Sequence, residues 1–75
     1  MEVYKRETRD IVNRFIIHQL SFATCISRLD AALVHFIPRL QPEQLDELRG
    51  VMLANYARVM KEMEGRPLGD LGKKD

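Results

Sequence analysis

The sequence predicts an all-α fold, a small three-helix antiparallel bundle. Three observations carry this. Apolar residues recur at helical spacing in three separate stretches. Serine and proline punctuate the breaks between those stretches. Both connections are short, which sets successive helices antiparallel.

The first helix is expected over about residues 3–19. At about 100° per residue, Tyr4, Thr8, Ile11, Val12, Phe15 and Ile16 share one arc, while Arg6, Asn13 and Arg14 point elsewhere. Ile17 falls outside the arc. Ser21 is a plausible N-cap for the next helix, because its hydroxyl can accept a bond from an amide of the first turn. Thr24 stands where a capping box needs an acid or amide, so one kinked helix running through this point is an alternative, as is a helical hairpin with an N-terminal arm.

The second helix is expected over about residues 22–37. Phe22, Cys25, Ile26, Leu29, Ala32, Leu33 and Phe36 form its apolar arc, and Pro38 stops it by removing an amide and disfavouring helix at the preceding residue. The third is expected over about residues 42–64. Pro42 suits the first helical position, Glu43 suits the positive end of the helix dipole, and Gly65 ends the helix with Pro67 beyond. Its main stripe is Leu45, Leu48, Met52, Tyr56, Val59, Met60 and Met63. Residues 1–64 then form one helical domain, and residues 65–75 read as a flexible tail.

Composition limits function. A chain of 75 residues holds one domain at most, and a domain this size buries only about 60% of its unfolded surface. Twelve basic and eleven acidic residues leave a net charge of +1, which lacks the positive excess of a dedicated phosphate binder. The single cysteine, Cys25, cannot close an intrachain disulfide or seed a zinc motif. The charged N-terminus does not resemble a signal peptide, and no apolar run of about 20 residues could span a membrane. A cytoplasmic location is the expectation.

No pattern of catalytic or metal-binding residues stands out. His18 and His35 are not at metal-pair spacing, so boundary histidines making ordinary hydrogen bonds are expected. Cys25 lies within an apolar arc and reads as buried and inert. Asp30, Asp46, Glu47, Glu62 and Glu64 lie on polar sides where carboxylates are solvated. Neither an enzyme nor a cofactor is expected. Lys5, Arg6, Arg9 and Arg14 could contact nucleic acid, but Glu2, Glu7 and Asp10 are interleaved with them, which is the pattern of a solvated face.

The apolar residues left over point to self-association. Ile17, Val34 and Val51 fall outside their helices' main arcs. Gly50, Ala54 and Ala57 line the back of the third helix, where a glycine costs about 1 kcal/mol relative to alanine. Small residues in a row allow a second helix to approach closely. Three short helices cannot cover much apolar surface alone. Met52, Met60 and Met63 are expected to fill the core in preference to forming a peptide groove. The expected function is a non-enzymatic protein-interaction module working as a two-fold helical homodimer. The alternative is a small nucleic-acid-binding or transcription-modulating protein using the basic first helix.

Overall fold

The structure is a computed structural model, and it describes residues 1–66. The expected flexibility of the C-terminal tail falls, from residue 67 onward, outside the described residues. The chain forms α1 (Glu2–Ile16), α2 (Phe22–Phe36) and α3 (Leu45–Glu64). Two 3₁₀ turns, Ile37–Arg39 and Pro42–Gln44, join α2 to α3. Among the described residues there is no strand.

The break between α1 and α2 is complete, so the continuous kinked helix does not form. α1 ends three residues earlier than its apolar pattern suggests, because the backbone reverses at His18. His18 takes a left-handed conformation (φ 65°). Its amide donates to the Phe15 carbonyl (3.0 Å), and the Gln19 amide donates to the Arg14 carbonyl (2.8 Å). This pair of bonds closes a Schellman turn that usually has glycine at the left-handed position, where a residue with a Cβ costs on the order of 1 kcal/mol. Ser21 then caps α2 by accepting from the Thr24 amide (3.1 Å). The Ser21 hydroxyl also donates to Thr24 Oγ1 (3.1 Å), so Thr24 takes part in the cap that lacks an acid.

Pro38 sits inside the first 3₁₀ turn, and α2 stops at Phe36 as its sequence requires. Pro42 opens the second turn. Gln44 Oε1 accepts from the Gln41 amide (3.0 Å) and leads the chain into α3.

Contacts at both ends fix the topology. The Tyr4 and Phe36 rings meet edge to face at 5.5 Å, and the Phe15 and Phe22 rings do so at 6.3 Å. α2 therefore runs antiparallel to α1. Lys5 pairs with Glu47 (2.5 Å) at one end, and Arg66 reaches Phe15 at the other, so α3 runs parallel to α1. α1 packs closely on both other helices, whereas α2 and α3 touch each other much less.

The core has two parts. Val12, Phe15, Leu20, Cys25, Leu29 and Val59 form the larger cluster, and Tyr4, Ala32 and Leu48 the smaller. Two buried polar residues lie between them. Thr8 stands between Tyr4 and Val12 on α1, and its hydroxyl donates to the Tyr4 carbonyl (2.8 Å). Asn55 stands between Leu48 and Val59 on α3, and its buried Nδ2 has no hydrogen-bond partner among the described residues. Such an orphaned donor costs about 1–3 kcal/mol.

α3 departs most from its sequence pattern. Leu45 and Met60, expected in the buried stripe, are exposed, and Asn55 is buried in their place. Val51, read as an outlying apolar residue, packs against the Tyr4, Ala32 and Leu48 cluster.

Candidate interaction surface

The side chains of α3 show which way each of its flanks faces. On one flank, Glu47 pairs with Lys5 and Arg58 donates to Asn13 Oδ1 (3.2 Å), so this flank faces α1. On the other flank the Tyr56 hydroxyl donates to the Asp30 carboxylate of α2. Burial and this bond hold the Tyr56 phenol well above the usual tyrosine range, with burial the larger cause. The residues beyond Tyr56 on α3, and beyond Asp30 on α2, therefore lie on the face of the molecule away from α1.

That face is apolar and almost uncharged. From α3 it presents Leu53, 53% exposed, with Met60 and Leu45 also exposed. From α2 it presents Val34, 76% exposed, and from the 3₁₀ turn that follows, Ile37. Between these lie Ala23, Ser27 and Ala31, all exposed and small. Helical spacing puts two charges within the face: Asp30, tied to Tyr56, and Arg49, between Leu45 and Leu53. Asp46 and Glu64 lie at its two ends.

The outer side of α1 has the opposite character. Glu2, Arg6, Glu7, Arg9, Asp10 and Arg14 are all exposed. Arg14 pairs with Asp10 (2.9 Å), and Lys5 pairs with Glu2 (3.7 Å) as well as Glu47. Of the four basic residues with nucleic-acid potential, Lys5 and Arg14 are thus engaged by acids. Arg6 and Arg9 carry no ion pair among the described residues.

The residues singled out for self-association do not form one patch. Gly50, Ala54 and Ala57 are exposed, and a Cβ placed on Gly50 would meet nothing within 4 Å. By helical spacing, Gly50 and Ala57 adjoin the Leu53 and Met60 edge of the apolar face, and Ala54 points further round. Val34 lies on the face. Ile17, 60% exposed, caps the end of α1. Val51 is half-buried in the smaller core cluster and is not available to a partner. Leu53 and the Ala23, Ser27 and Ala31 flank escaped the sequence reading. Their signal is a negative one: from Ala23 to Val34, the α2 flank beside the core arc carries Asp30 as its one charge.

No metal-binding group of three or more His, Cys, Asp or Glu side chains occurs among the described residues. Cys25 is fully buried. His35 stacks edge-on against Phe36 at 5.0 Å. A hollow of about 370 Å³, lined by Ile16, Arg58, Lys61, Glu62 and Gly65, is wide open to solvent. Beside it, Arg66 closes the end of the larger core cluster. Its guanidinium lies 4.1 Å over the Phe15 ring and donates to the Phe15 carbonyl (2.6 Å). Its Nε stands 3.5 Å from Glu62 Oε2, an ion pair that falls short of hydrogen-bond geometry. Arg66 so gives the Phe15 carbonyl a second donor beside the His18 amide, and it also donates to the Ile16 carbonyl (3.4 Å).

No known protein family, curated protein or solved structure matches the chain.

Proposed function

We propose that this protein is a non-enzymatic protein-interaction module that works as a helical homodimer. The observation that carries the reading is the division of its surface. Charged side chains and ion pairs cover the outer side of α1, while large apolar side chains stay exposed across α2 and α3. An exposed apolar area rimmed by polar residues is how a protein surface marks an interaction site. The core supports the same reading, since a domain this small gains from association what three short helices do not supply alone. No helix among the described residues is long and apolar enough to cross a membrane. A cytoplasmic setting is part of the proposal, and the lone, buried Cys25 is compatible with it.

Nucleic-acid binding through Lys5, Arg6, Arg9 and Arg14 has less support, because Lys5 and Arg14 already neutralise carboxylates of the same chain.

The test is the mass in solution, measured by light scattering on a size-exclusion column. The expected mass is twice the 8.7 kDa chain at micromolar concentration. A monomer throughout that range removes the homodimer.

A further inference from the structure

The homodimer reading leaves open which surface the two copies share and how they are related. Resting on that reading, we propose that the α2/α3 face is the interface, and that a two-fold axis along the helices sets α2 of each copy against α3 of the other.

The area is sufficient. α2 has 15 residues and is therefore about 22 Å long, and two helices lying side by side on α1, each about 10 Å across, are roughly 20 Å wide. Allowing for corrugation, such a face buries roughly 600 Å² on each copy. The total of about 1,200 Å² reaches the lower edge of stable, specific interfaces.

Shape and charge choose the second copy and its orientation. α2 and α3 run antiparallel and overlap between two shared ends. Tyr4 brings Phe36 and Leu48 together at one end, and Phe15 brings Phe22 and Val59 together at the other. Counted from the Phe36 and Leu48 end at about 1.5 Å per residue, Leu53 is level with Ala31 and Gly50 with Val34, and Met60 lies within one residue of the level of Ala23. An axis along the helices keeps each residue at its level and moves it to the facing helix. Met60 of one copy then meets Ala23 of the second, Leu53 meets Ala31, and Val34 meets the bare backbone of Gly50. Large side chains face small ones at these three levels. The two charges within the face also match. In this register Arg49 lies five residues, about 7.5 Å along the axis, from the level of Asp30, a distance its long side chain spans to reach Asp30 of the second copy. The other two-fold, across the helices, would lay α2 on α2 and bring the two Asp30 carboxylates together near the centre, which like-charge repulsion opposes.

Sedimentation equilibrium on the full chain and on substituted chains tests this, with far-UV circular dichroism to show that each variant keeps its helices. Leu53→Glu should give a monomer, and Leu53→Ser is the second variant should glutamate disturb the fold. Ala54→Glu, outside the face, should leave the dimer intact. Arg49→Glu or Asp30→Arg alone should weaken the dimer about tenfold, since two symmetric pairs are lost. The double variant should return to within about threefold of the original, because the reversed charges again face each other. A folded Leu53→Glu chain that still dimerises would overturn the face while leaving the homodimer standing. A monomer with Ala54→Glu would do the same and move the contact to the back of α3. Failure of the double charge reversal to restore the dimer would overturn the orientation. A monomeric original chain overturns the homodimer and this interface with it.

Discussion

The outer surface of α1 and the outer surface of α2 and α3 rest on the same core, yet they are made of different residues. Apart from Val3 and Asn13, α1 exposes acids and bases, several of them paired within the helix or with α3. On their outer face α2 and α3 expose leucine, valine, methionine and alanine, with Arg49 and the Asp30 held by Tyr56 as the two charges among them. Both lie over Val12, Phe15, Leu29 and their neighbours, so folding alone does not require the difference. A helix that finishes its job by packing inward can be charged outside. A pair of helices that remains apolar on both sides has surface left for something else to cover.

The largest effect should come from the floor common to both surfaces. Phe15 is fully buried, stacks against Phe22 and lies beneath Arg66. Phe15→Ala should cost about 3–5 kcal/mol, which is most of what a domain this small has. A thermal melt followed by circular dichroism should show a midpoint lowered by about 15 °C or more, or no folded baseline. A shift within a few degrees would mean that the larger cluster is not the common support of the two surfaces.

Much of this floor was legible in the sequence, and the surface above it was not. Ser21 and Pro38 punctuate the chain through local chemistry, a cap and a missing amide, which act without knowledge of distant residues. The α1 and α2 arcs are also local, because each helix has one unbroken arc of large apolar residues at helical spacing. α3 is different. Its apolar residues spread around nearly half the helix, so periodicity alone does not choose between an arc centred on Asn55 and one centred on Tyr56. Tertiary packing chooses the first. It buries an amide with an orphaned donor and leaves Leu45 and Met60 outside. The end of α1 was hidden for another reason. His18 adopts a conformation that sequence reasoning assigns to glycine or asparagine, so nothing marked the turn. The place of Arg66 on Phe15 joins residues 51 apart, beyond any local pattern.

A smaller effect would sharpen the contrast at the edge of the apolar surface. Within one copy nothing approaches the missing Cβ of Gly50. Gly50→Ala should therefore stabilise α3 by about 1 kcal/mol, through helix propensity alone. In a monomeric Leu53→Glu background this should appear as a melting midpoint raised by about 4–8 °C. In the original chain the proposed dimer predicts a smaller gain, because the added methyl would meet Val34 of the second copy. An equal gain in both backgrounds would mean that Gly50 faces solvent in the assembled protein as well.

The smallest effect separates the two surfaces by the cause of their titrations. Lys5, on the α1 side, has its pKa raised, chiefly by its hydrogen bond to Glu47. Tyr56, on the apolar side, has its pKa raised first by burial and then by Asp30, and Tyr4 is raised by burial. All three groups bind protons more tightly folded than unfolded. Their contributions are fully present below the unfolded pKa, about 10 for tyrosine and slightly higher for lysine, and are lost as pH rises beyond it. Salt should tell them apart. The Lys5–Glu47 pair is solvent-facing, so about 1 M salt should screen it, whereas the burial that holds the tyrosines is indifferent to ions. The chain has two tyrosines, so phenolate absorbance reports on Tyr4 and Tyr56 together. Near pH 10 the folded protein should show less phenolate signal than the unfolded chain, at low or high salt, and the difference should close as the helices melt. A normal titration midpoint would place Tyr56 in free solvent, open the bridge to Asp30 and leave α2 and α3 without the side-chain bond that orients their shared surface.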